Sequence, residues 1–155
     1  MTEKREFLRH TLAALAYRAN RALEGAPDEF ADFSGCERTP AQIVAHMGDL
    51  FDWALSAAEG QQRWKVSEPL PWAEGKARFF AALTAFDAYL AGPEPVHAEL
   101  ERLFQGPVAD AINHVGQLAM MRRLAGYKIR GENFYVADMK AGRTGAEQAA
   151  AVRTF

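Results

Sequence analysis

Cysteine is almost absent from this chain of 155 residues: Cys36 is the single one. No internal disulfide can form, and no Cys-rich metal knuckle or CxxC redox pair is available. Cys36 also has no histidine beside it in sequence, so the chain gives it no activating partner for a nucleophilic role. Net charge is nearly absent too, at −2, with basic and acidic residues interspersed. That removes the electrostatic case for a nucleic-acid or membrane-surface partner. No uncharged apolar run approaches bilayer length, and the opening MTEKREFLRH lacks the apolar core of a signal peptide. The sequence also shows no internal repeat, no low-complexity tract, no phosphate-binding glycine loop and no convincing strand or hairpin. These absences predict a soluble, cytoplasmic chain. Hydrophobic residues at 49% and charged residues at 25% are enough for one ordinary core, so a single domain over 1–155 is expected.

What the chain does have is helical periodicity. Leu8, Leu12, Leu15, Ala19 and Ala22 recur at three- and four-residue spacing until Gly25-Ala26-Pro27 stops the run. Phe30 and Phe33 in the short mixed segment that follows should tuck against the core. Thr39-Pro40 supplies an N-cap and a proline at the first helical position of a second helix running to about Gly60. The stretch 61–70 reads as a loop with Trp64 anchored. Pro71 opens a third helix carrying Trp72, Phe79, Phe80, Leu83, Phe86 and Leu90 on one side, and Ala91-Gly92-Pro93 closes it. A short helical run over 96–104 is interrupted at Gly106-Pro107. A last long helix over 110–126 follows, ending at Gly126 as a C′ glycine. The reading is an all-α, antiparallel four-helix bundle with an extra short helix, a core of about 2–126 and an irregular tail over 127–155.

Histidine is scarce as well, with four in the chain, and two of them fall where a bundle builds sites. On the second helix His46 shares a side with Ile43, Leu50, Trp53 and Ala57, while Ala45 and Asp52 point away. On the last helix Asp110 and His114 stand four apart, so their side chains converge, beside a core face of Val108, Ala111, Val115 and Leu118. Carboxylate oxygen and neutral imidazole nitrogen are common ligands of a divalent transition metal, and His46 is placed to be the third. Each residue also has an ordinary reading. His46 fits a core histidine bonded to a carbonyl, Asp110 fits an acid in a first turn complementing the helix dipole, and His114 fits a boundary residue with one wet nitrogen. Asp49 and Gln117, each three residues after a histidine, are placed to orient an imidazole. His10 and His97 read as surface residues, and Arg18, Arg21, Arg122 and Arg123 as solvated helix faces.

Three segments carry a family resemblance: TPAQIVAHMGDLFDWAL with its inward His46, HVGQLAMMRRLAG beginning at His114, and ENFYVADM followed by GRTGAEQ in the tail. With these the chain resembles the DinB-like family of metal-binding helical bundles, over most of its length from Thr39 onward. The common family pattern has three histidines, the last two four apart, and this chain carries Asp110 in place of the middle one. The resemblance implies a divalent metal (nickel, zinc or iron) held by His46, Asp110 and His114. It also implies a homodimer and an enzyme acting on a small molecule, with transfer of a low-molecular-weight thiol favoured over metal-assisted hydrolysis. The aspartate shifts the preference toward harder ions, or marks a member that has lost its metal. A rival reading is a non-enzymatic interaction or stress-response bundle, with Trp64, Trp72 and Tyr135 exposed for an interface.

Overall fold

The helix boundaries follow the capping chemistry. In the computed structural model, which describes residues 2–155, α1 spans Glu3–Leu23, and the Thr2 hydroxyl accepts the Arg5 N–H at its start. It ends where Gly25 takes φ +70°, a conformation that glycine adopts without strain. The next helix, α2 (Pro40–Ala58), opens with a full capping box: Thr39 Oγ1 accepts from Gln42 N at 3.2 Å, and Gln42 Oε1 accepts from Thr39 N at 2.9 Å. A third, α3, spans Trp72–Ala91 after Pro71, and a short 3-10 turn at Asp28–Asp32 seats Phe30 in the core. These helices bury the predicted stripes, including Leu8, Leu12, Leu15, Ile43, Leu50, Phe79, Phe86 and Leu90. Phe51 binds the centre, with Phe79 and Phe86 rings at 6.1 and 6.2 Å. Burying each such side chain contributes about 1.5–3 kcal/mol.

The interruption expected at Gly106-Pro107 does not break the chain. Helix α4 (Leu100–Leu103) runs through a π turn at Phe104–Val108 directly into α5 (Ala109–Leu124). Pro107 has no N–H to donate, and in an α-helix its ring would press on the Leu103 carbonyl. A widened turn absorbs both problems without ending the helix. The result is one helical rod, with Asp110 just past the π turn.

The helices do not simply alternate in direction. Arg5, near the start of α1, donates to the Tyr89, Leu90 and Gly92 carbonyls, and Arg9 pairs with Asp87, so α1 and α3 run antiparallel. Arg78 bonds the Ala45 carbonyl and Asp49, while further along Tyr89 Oη donates to the Ala58 carbonyl. Helices α2 and α3 therefore run parallel. At the far end Arg122 donates to the Ala22 and Glu24 carbonyls, so α5 is parallel to α1 and, in consequence, antiparallel to α2.

A parallel α2–α3 pair requires the intervening chain to travel back the length of α2. It does so along α2 itself: Arg63 N donates to Ser56 Oγ, and Ser67 N donates to Asp49 Oδ2 at 2.8 Å. This crossover strap covers Ala45, which is buried rather than facing away as expected. The tail is irregular but fastened. Glu132 sits buried against Tyr17 and Arg21 and forms an isolated antiparallel bridge with Thr154, and Thr144 Oγ1 bonds Thr84 Oγ1. No helix among the described residues is long and apolar enough to cross a membrane.

Candidate metal centre

His46, two turns into α2, meets Asp110 and His114 across the α2–α5 interface. His46 Nε2 lies 3.1 Å from Asp110 Oδ2, and His114 Nε2 lies 3.4 Å from the same oxygen. The imidazole rings stand 5.0 Å apart and nearly perpendicular, at 87°. One donor atom from each residue lies within 4.8 Å of the other two, a cluster of His and carboxylate groups found nowhere else among the described residues. The side chains of His46, Asp110 and His114 are 24%, 45% and 12% exposed, so the triad sits at the foot of an open cleft.

The spacing suits one ion. Two ligands, each about 2.1 Å from a common metal, stand about 3.0 Å apart at a right angle and about 3.4 Å apart at the tetrahedral angle. Both observed separations from Asp110 Oδ2 fall in that interval. The tautomer of His114 fits as well. Its Nδ1 lies 2.7 Å from Gln117 Oε1, one turn along α5. An amide oxygen only accepts, so this contact favours the tautomer with its hydrogen on Nδ1, which turns the Nε2 lone pair toward Asp110. Lone pairs from His114 and the carboxylate then face each other, which is costly unless a proton or a cation lies between them.

The ordinary reading of Asp110 as a helix-start charge does not survive the π turn. Val108, in the capping position of α5, is itself helical, and the Ala109 N–H already donates to the Gly106 and Phe104 carbonyls. No unsatisfied helix end lies at Asp110 for its charge to complement.

The cleft beside the triad has a volume of about 510 Å³; Ile43, Met120 and Met121 give its lining apolar surface, and Cys36, Glu37, Arg38 and Gln117 give it polar groups. On the opposite side of His46 the strap brings Trp64 edge-on to the imidazole, with centroids 5.9 Å apart at 74°. Trp64 is held there although 51% exposed. Arg38 borders both openings. No tail residue lines either one.

Sequence reasoning placed several neighbours differently. Asp49 does not orient His46; its carboxylate is buried and takes Ser67 N and Arg78 Nη2, at 2.8 and 2.7 Å, to fix the strap. Burial works against the Arg78 charge, but hydrogen bonds to Asp49 and Asp52 outweigh it and raise its pKa above the ordinary guanidinium value. Trp72, expected at an interface, is buried against Phe30, while Tyr135 is exposed. Arg122 is not a solvated face but a buried guanidinium capping the carbonyls at the end of α1. Gln117 stands where expected, and His10 and His97 are exposed. Cys36 shares the triad's cleft, a proximity that only chain folding creates, since it lies ten residues from His46 with a turn between. Compared with known proteins, the chain matches no family model, no curated protein and no solved structure.

Proposed function

We propose that this protein is a DinB-like metal-dependent enzyme, holding one divalent transition ion through His46 Nε2, Asp110 and His114 Nε2. The observation that carries the proposal is the convergence of two imidazoles and a carboxylate at ligand spacing. Two nitrogens and one oxygen suit nickel, zinc or iron, and three protein ligands leave positions open for a small molecule. The ion would supply Lewis acidity, making a bound water or thiol more acidic or polarising a carbonyl.

The chain's own residues set the rest. Gln117 fixes the His114 tautomer, the strap holds Trp64 against His46, and the π turn sets the helical register that aims Asp110 at the imidazoles. Ile43, Met120 and Met121 offer an apolar wall to the substrate, and Arg38 and Glu37 offer charge. The reaction proposed is transfer of a low-molecular-weight thiol to an electrophile, with metal-assisted hydrolysis as the second form. Both rest on the family resemblance, which also implies a homodimer.

The test is elemental analysis of protein purified without a metal-binding tag. One equivalent of a transition metal is expected, lost in His46→Ala and in His114→Ala while helical circular dichroism persists. Full loading in both variants would overturn the site.

A further inference from the structure

A second concave surface lies away from the triad, where α1, α5 and the tail meet. It is a groove of about 310 Å³ lined by Arg18 and Arg21 of α1, Arg123 of α5 and Arg130 of the tail. Four guanidiniums gathered from three elements are unexpected in a chain with net charge −2. Their partners decide what the groove can do. Arg21 is spent: it pairs with Glu132 at 3.0 Å and Glu24 at 3.6 Å and donates to the Tyr17 hydroxyl and the Ala149 carbonyl. Glu132 is the only acid in the lining, and it is buried beneath Arg21 and Tyr17. Arg18, Arg123 and Arg130 make no ion pair among the described residues, as is true of Arg5, Arg38, Arg122 and Arg153 outside the groove, while Arg9, Arg63, Arg78, Arg102 and Arg143 each face a carboxylate. Arg123 spends one N–H on the Ala119 carbonyl. Arg18 is held in place by the Phe134 ring, 4.1 Å from its guanidinium carbon, a contact that leaves its N–H edges free.

The floor between these charges is apolar and open. Ile112 and Ile129 line it, and at Gly116 an added Cβ would meet nothing within 4 Å. A glycine inside a helix is destabilising relative to alanine, and packing does not demand this one; its effect is to leave the groove open. Several unpaired guanidiniums around one concavity suit a tetrahedral dianion, which presents oxygens in more directions than a carboxylate's single edge. The apolar floor suits a carbon skeleton attached to it.

We propose that this groove binds a small organic phosphate, its phosphate held by Arg18, Arg123 and Arg130 and its carbon body lying over Gly116 and Ile112. The probe is phenyl phosphate, titrated into metal-stripped protein by calorimetry, with amide shifts at Gly116 and Gly131 followed by NMR. Saturable binding is expected, weakening as salt is raised. Inorganic phosphate should bind at least threefold more weakly, and benzoate more weakly still. Arg130→Gln, which breaks no contact within the fold, should weaken binding at least fivefold. Arg123→Gln/Arg130→Gln should abolish it, as should Gly116→Leu, which fills the groove. The His46→Ala/His114→Ala variant should bind phenyl phosphate unchanged, so the groove and the metal centre stand or fall separately. No saturation at 10 mM probe on the order of weak-metabolite affinity, or equal binding by the double arginine variant, would overturn the proposal.

Discussion

Replacing Asp110 by asparagine isolates what its charge does. The side chain keeps its shape and one oxygen, and loses a negative charge 3.1 and 3.4 Å from two imidazole nitrogens. Because Asp110 is 45% exposed, the solvent-like end of the dielectric range applies. A dication about 2.1 Å from a unit charge then gains about 4 kcal/mol, nearly a thousandfold in affinity. The amide oxygen recovers part of this, so metal binding should weaken between about tenfold and a thousandfold. Stability of the metal-free fold should change by less than about 1 kcal/mol, because a half-exposed pair contributes little and no helix end lies at this position. Zinc and nickel titrations against a competing chelator measure the first quantity, and urea unfolding in the presence of chelator measures the second. Asp110→His, which rebuilds a three-histidine set at the same spacing, should restore tight binding with a preference shifted toward nitrogen-loving ions. Affinities within threefold across all three proteins would refute the reasoning and make the carboxylate a bystander.

Gln117→Ala removes the acceptor that fixes His114 Nδ1, and should weaken metal binding about tenfold to a hundredfold with helicity unchanged. Arg122→Met keeps the apolar bulk but strips the donors from the Ala22, Glu24 and Tyr127 carbonyls; urea unfolding should show a loss of about 2–4 kcal/mol. Burial, with the hydrogen bond to Glu132 adding to it, raises the Tyr17 phenol above its ordinary 10.0. The neutral phenol's contribution is therefore whole below pH 10 and lost as the pH climbs through the higher folded value. Denaturation midpoints from pH 9 to 11.5 should fall more steeply in the parent than in Tyr17→Phe, and parallel curves would contradict the assignment.

Periodicity and capping, which are local, determined most of the architecture from sequence alone. The Thr39-Pro40 start, the stripes of α1 and α3, and the i, i+4 relation of Asp110 to His114 depend on residues within a turn or two of each other. His46 was legible for the same reason: its helical face follows from counting. What local pattern does not encode is the direction in which one helix passes another. The sequence reading expected an antiparallel bundle, but α2 and α3 run parallel, because Asp49 and Arg78 tie the strap down along α2. That one long-range choice lays Trp64 against His46 and buries Ala45. The Gly106-Pro107 pair reads as a break in any single-sequence scan. Only the packing of the rod against its neighbours keeps it helical as a π turn, and thereby strips Asp110 of a helix end. Arginines were the least legible of all. Arg18, Arg21, Arg122 and Arg123 look alike on a helical wheel, yet one caps α1, one clamps a buried glutamate and two face an open groove. The difference lies in the carbonyls and carboxylates that distant segments bring to each guanidinium, and a long, flexible side chain carries no record of its partners in its own neighbours along the chain.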